Sequence, residues 1–112
     1  MKTFTDEEMG QLLPTAKAYC VVILKKGPNF DDDATPGIIW EHGRRNFALG
    51  AHGVLAIVLP VIDESEWAGV GLFDATPDET SQIIDSDPAV EAGILTYEVH
   101  GVIGFPGSTL PS

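Results

Sequence analysis

From Asn46 to Ser112 the chain contains no lysine or arginine. The six basic residues all lie in the first half, against 17 acidic ones, for a formal net charge of −11. Nucleic-acid recognition draws its affinity from a basic stripe along the phosphate backbone, and this chain has none. An anionic ligand would have to find its counter-charge on Lys2, Lys17, Lys25, Lys26, Arg44 or Arg45, on backbone amides, or on a bound metal. Cysteine is equally scarce. Cys20 stands alone, which excludes an internal disulfide, and its place inside an apolar run reads as a small buried hydrophobe. Long apolar runs are missing too. Tyr19 to Leu24 and Val54 to Ile62 fall far short of the roughly 18 residues that cross a bilayer. The acidic start Asp6-Glu7-Glu8 is not the apolar core of a signal peptide, so the expected compartment is the cytoplasm.

The familiar metal and cofactor patterns are absent as well, and neither a metal nor a cofactor is expected. His42, His52 and His100 do not have a zinc spacing, and there is no cysteine pair to help them. Asp31-Asp32-Asp33 lacks the alternation and the closing glutamate of a calcium loop. No glycine-rich phosphate loop opens a helix, and neither Ser65 nor Ser81 sits in a nucleophile motif.

What remains is one domain's worth of chain, 44% hydrophobic and 21% charged, which is the ordinary globular range. Residues 3 to 13 read as a short helix, with Thr5 as N-cap, acidic residues in the first turn, and Pro14 at its end. Ala18 to Lys25 is a β-branched strand. Residues 27 to 37 are rich in turn formers and read as a loop. Ile38 to Ala51 is helical, with Ile38, His42, Arg45 and Leu49 on one stripe and Gly53 as a stop. A second apolar strand runs from Val54 toward Ile62. A third covers Trp67 to Phe73, with Gly69 and Gly71 on one face. Thr76-Pro77-Asp78-Glu79 announces the next helix through a capping box and a proline at its first position. Asp87 to Gly93 reads as one further turn, capped by Asp87. Leu95, Tyr97 and Val99 then alternate with Thr96, Glu98 and His100 in a fourth strand.

The order is β-α-β-β-α-β behind an extra N-terminal helix, which is the ferredoxin-like arrangement of an α+β domain with a four-stranded antiparallel sheet. The expected divisions are an extension at 1–17, the α+β domain at 18–105 and a tail at 106–112. In such a fold the two helices cover one face of the sheet, and the other should be polar. Yet the first two strands are apolar at nearly every position. Either the N-terminal helix covers part of the second face or another copy of the sheet does. Nine or ten helical residues are too few for the task, so the expected partner is the chain itself, in a homodimer with sheets face to face.

His42, Gly53 eleven positions later, an apolar strand ending in Pro60, a glycine-containing third strand, and Asp87-Pro88 followed by Ala92-Gly93 together resemble the YCII-related family. The resemblance spans about residues 18 to 105. Leu59-Pro60 stands where that family commonly has Gly-Pro, and the acidic N-terminal extension lies outside the common core. The resemblance implies a dimeric α+β barrel and an active site that pairs a helix histidine, here His42, with an aspartate, here Asp87. Relatives include a dehydrochlorinase of a chlorinated hydroxyhydroquinone, and the muconolactone isomerases share the broader fold.

A histidine beside a carboxylate can take and return a proton near neutral pH. That chemistry suits proton abstraction next to a carbonyl, or loss of a small leaving group from a phenol-like ring. Arg45, one turn beyond His42, could hold an anionic substrate group, and Gly69 and Gly71 would leave room for a flat ligand. Each residue also has a plainer reading. His42 can be a hydrogen-bonded residue of a half-buried helix, and Asp87 only a cap. Arg45 can be the surface partner of Glu41, and the glycines can admit a close helix. His52 reads as a helix-end residue and His100 as a strand residue at the sheet surface. Two functions stay open: a small cofactor-free lyase or isomerase, and a non-catalytic module that binds a small molecule or a partner.

Overall fold

The computed structural model describes residues 1–112. Helix α1 (Asp6–Leu12) and a 3-10 turn (Leu13–Thr15) precede strand β1 (Lys17–Lys26). Then follow α2 (Thr35–Ala51), β2 (Leu55–Pro60), β3 (Trp67–Phe73), α3 (Pro77–Asp85), the short α4 (Pro88–Glu91) and β4 (Leu95–Gly104). The strands form one sheet in the order β2-β3-β1-β4, with every neighbouring pair antiparallel. This is the ferredoxin-like α+β fold.

Two boundaries move outward from the sequence expectation. α2 begins at Thr35, inside the stretch that reads as a loop, because Pro36 occupies its first turn, where a missing N–H leaves no bond unmade. The Thr35 amide is taken by Asp32 O at 3.0 Å. β4 continues to Gly104 because it pairs along the full length of β1, from Lys26↔Leu95 to Lys17↔Gly104. Two boundaries move inward: α1 begins at Asp6 rather than at residue 3, because Thr5 is its N-cap, and β2 stops at Pro60, leaving Ile62 exposed. Proline is tolerated there because β2 is an edge strand.

Side chains of a strand alternate between faces, so the register sorts the sheet cleanly. Cys20, Val22, Leu55, Phe73 and Leu95 are buried on the helix side, with Ile84 of α3, Ala89 of α4 and Ile94 packed among them. On the opposite side two apolar rows cross the sheet. One runs Ile57, Leu72, Val21; the other runs Leu59, Val70, Ile23. Each row ends on β4 in a polar residue, His100 and Glu98 respectively.

α1 does not cover these rows. Its capping box is complete, with Thr5 Oγ1 accepting from the Glu8 amide and Glu8 Oε1 accepting from the Thr5 amide. None of its residues is buried. The radius of gyration is 16.4 Å, against about 13 Å for a compact chain of this length, and the molecule measures 56 × 30 × 23 Å. An elongated chain with an unburied first helix has an N-terminal arm.

Candidate active site

The inward stripe of α2 places His42 over the sheet, with its side chain 12% exposed. Its Nδ1 lies 2.7 Å from Asp87 Oδ2, across 45 residues of sequence. Only Nδ1–H can serve a carboxylate there, and that tautomer leaves Nε2 as an acceptor. Asn46, one turn further along α2, fills the acceptor by donating its Nδ2–H at 3.2 Å. The ring is therefore held at both nitrogens.

Asp87 uses its two oxygens for two tasks. Oδ1 accepts from the Ala89 amide at 2.8 Å and so caps α4, while Oδ2 accepts from His42. Its side chain is 1% exposed. Burial pushes the carboxyl up, but the hydrogen bond and charge of His42, the Ala89 amide and the Arg45 guanidinium outweigh it and hold Asp87 below its ordinary value. Asp87 is thus kept as the carboxylate.

Arg45 is turned away from the surface partner that the i,i+4 spacing suggests. Glu41 pairs with Arg44 instead, Nε to Oε2 at 2.9 Å. Arg45 Nη2 donates to Ile83 O near the end of α3 at 2.7 Å. Nη1 stands 3.8 Å from Asp87 Oδ2 and, although buried, has no hydrogen-bond partner. The guanidinium lies behind the carboxylate.

Backbone contacts fix the distance between α2 and the Asp87 turn. The loop after β1 is tied to the turn before β4 by Gly27 N to Ile94 O at 2.7 Å and Asn29 N to Gly93 O at 3.0 Å. Asn29 Nδ2 adds a bond to Ala92 O at 2.9 Å. A Cβ on Gly27 would meet Gly93 O at 2.5 Å, so the approach needs glycine there, and Gly93 itself adopts a φ of +71°.

Between α2 and the β2–β3 half of the sheet lies a cavity of about 400 Å³, within the size range of small-molecule sites. His42, Gly43, Asn46 and Phe47 form its helix wall, and Gly69 and Gly71 lie in its floor among Val22, Leu24, Leu55, Val58 and Phe73. His42 and Asn46 are the only polar side chains of the lining. The atoms nearest a Cβ on Gly69 or Gly71 belong to the sheet rather than to a helix, Leu59 O at 3.5 Å and Leu55 Cδ1 at 3.3 Å respectively. The glycines line the cavity floor, and the atoms closest to them are the sheet's own and not a helix's.

The structure therefore brings together His42, Asp87, Gly69 and Gly71 of the residues singled out from sequence. Arg45 joins them through Asp87 but does not line the cavity. Asn46 was missed. Its signal was available, since it lies four residues after His42 on the same stripe. His52 bonds to Ala48 O at 2.8 Å at the helix end, and His100 to Glu98 at 3.1 Å on the exposed sheet surface. No three His, Cys, Asp or Glu side chains cluster to hold a metal ion. No helix is long and apolar enough to cross a membrane.

The site belongs to the class of ferredoxin-like α+β domains that keep a cavity between helix and sheet. Among solved structures, the chain is similar to the 5-chloro-2-hydroxyhydroquinone dehydrochlorinase (TftG) of Burkholderia phenoliruptrix AC1100 in complex with 2,5-dihydroxybenzoquinone. The two share 14% identity over 73% of this chain and 90% of that one, with a TM-score of 0.54. This likeness establishes the fold. No family model and no curated protein matches the sequence.

Proposed function

We propose that the chain is a small lyase- or isomerase-type enzyme of the YCII-related kind. It works without a cofactor on a small polar or aromatic molecule and acts as a homodimer of the 18–105 domain. The observation that carries this reading is a doubly held histidine at the wall of a cavity, its far nitrogen bonded to a buried carboxylate. A substrate O–H, or a C–H next to a carbonyl, gives its proton to His42 Nε2. The resulting imidazolium is stabilised by Asp87, which stays ionised. The electron pair left on the substrate expels a leaving group or moves along the conjugated system, and Nε2 returns the proton to product or solvent. Asn46 yields Nε2 to the substrate and keeps its amide for a substrate oxygen. Arg45 acts through Asp87 as a positioning residue, rather than as the anion holder that its place in the sequence suggested.

The dehydrochlorinase likeness makes hydroxylated rings the first substrates to try. Incubation with chlorinated and unchlorinated hydroxyhydroquinones and with small keto acids, read by NMR and mass spectrometry, is expected to show turnover of one class. A His42→Ala variant should lose that turnover by about 10²-fold or more. Conversion that is unchanged in His42→Ala would refute the assignment.

A second reading rests on the Asn46 amide, which already occupies the lone pair that a base would use. On this reading the cavity only binds its ligand. Calorimetry that finds binding to wild type with no conversion would select it.

A further inference from the structure

Helix α2 carries three glycines, Gly37, Gly43 and Gly50, and of these Gly43 alone lines the cavity. A glycine inside a helix weakens it relative to alanine, because the unfolded chain gains freedom. Nothing in the fold calls for that weakness at Gly43. A Cβ there would meet no atom within 4 Å, and the backbone has no positive φ at that position. Ile39, Gly43 and Asn46 follow one another at i, i+4 and i+7 along the stripe that faces the sheet, with His42 on one flank and Phe47 on the other. The space that a side chain would fill at the centre of this wall is cavity. Gly69 and Gly71 do the same for the floor.

We infer that the cavity takes an uncharged, flat molecule of one or two rings, its body lying over Gly43 and against Phe47 and its polar edge at His42 and Asn46. The inference rests on the reading of this cavity as the site proposed above, and it does not need the proton transfer assigned to His42.

Charge and size limit the occupant. No lysine or arginine lines the cavity. Arg45 gives one nitrogen to Ile83 O and stands behind Asp87, so the ionised group that backs the histidine is a carboxylate. A carboxylate or phosphate on the ligand would lose its water among apolar side chains and find no cation in exchange. It would also have no proton to give. Nδ1–H of His42 is committed to Asp87, which leaves a lone pair at Nε2, and the Asn46 amide is then the one donor among the side chains of the lining. A hydroxyl or a carboxamide suits this pair, since it donates to Nε2 and accepts from Asn46. A cation fares no better than an anion, because no acidic side chain lines the cavity. An apolar cavity of about 150 Å³ accepts benzene, so one of about 400 Å³ has room for two rings. Phe47 lines the cavity and yet is 85% exposed. That puts it at the mouth, where its ring can lie against a flat occupant.

The test measures binding of 2-naphthol, 2-naphthamide and 2-naphthoate to the full chain by calorimetry at neutral pH. The last two have the same shape and differ in charge. Both neutral probes are expected to bind at least about tenfold more tightly than the anion. Gly43→Leu should weaken naphthol binding by about tenfold or more, with a melting temperature no lower than that of wild type. Gly43→Ala should raise the melting temperature by a few degrees and also weaken binding. If Gly43→Leu does not fold, Gly43→Ala carries the comparison, since its methyl meets no atom within 4 Å. Naphthoate that binds as tightly as naphthamide overturns the inference. So does naphthol binding that is unchanged in the folded Gly43 variants, and so does the absence of binding by either neutral probe. Binding of the expected pattern without turnover of any ring would leave this inference standing and remove the catalytic reading. Turnover at His42 with equal affinity for anion and amide would do the reverse.

Discussion

The two faces of the sheet are built from neighbouring residues of the same strands, yet they meet different fates. Val22 faces the helices and is 1% exposed, in contact with a core that includes Phe73 and Ile84. Ile23, the next residue, faces away in a row with Val70 and Leu59 and has no helix over it. Both are β-branched and apolar. Residue type alone does not say which face a single chain will bury; connection does. The right-handed crossovers through α2 and α3 deliver both helices to one side. The other side keeps its apolar character with no element of the chain over it.

The largest contrast is expected from the same substitution at adjacent positions. Val22→Asp places a charge in the core at a cost of several kcal/mol, comparable with the whole stability of a small domain, and should abolish cooperative unfolding by circular dichroism. Ile23→Asp should leave a folded chain that sediments as a monomer. If Ile23→Asp unfolds the chain as thoroughly, the two faces are equivalent and the comparison fails. Next in size, Phe73→Ala should lower stability by about 3–5 kcal/mol in urea titrations, and Leu72→Ala on the open face by under about 2 kcal/mol once the copies are separated by dilution.

Asp87→Ala comes third, at about 2–4 kcal/mol, since it removes a cap and leaves the Arg45 charge without its partner. This site also gives the covered face a pH signature carried by a buried carboxylate. Asp87 is held below its ordinary value of 3.8. Its stabilisation is therefore fully present above that value and is lost as pH falls through the lower folded value. Thermal unfolding between neutral and strongly acidic pH should show a shallower acid limb in Asp87→Asn than in wild type. The smallest effect is expected from Gly71→Ala. Its methyl would press on Leu55 and Phe73 at 3.3 Å for about 1 kcal/mol or a little more, while weakening binding of any ligand in the cavity.

The strands, the Thr76 capping box, the Thr5 cap and the Asp87 turn were legible because each is written in local chemistry: alternation, a threonine three residues before a glutamate, a proline at the first helical position; that Thr5 and Glu8 also form a full capping box emerged only from the structure. His42 and Asp87 could be paired only through the family resemblance. No spacing rule spans 45 residues, and the bonds that fix their distance come from the Gly27–Gly93 approach, which is long-range. Arg45 misled for a similar reason. Its helical spacing to Glu41 is favourable, but a carbonyl freed near the end of α3 and a buried carboxylate outbid a solvated partner. The start of α2 was hidden by turn-forming residues that also suit a helix's first turn.

The two rims of the sheet also differ. β2 is six residues long, ends in proline and loses register between Leu55 and Ile57. A foreign strand arriving there would meet a broken row of amides. β4 is ten residues long and pairs in unbroken register, with Glu98 and His100 beside its free rim. Growth of fibrils by end-to-end strand addition is therefore stopped at one rim, and at the other it must carry charge into each new junction. Concentrated stocks of this protein should stay clear of amyloid dyes as long as β4 keeps its glutamate.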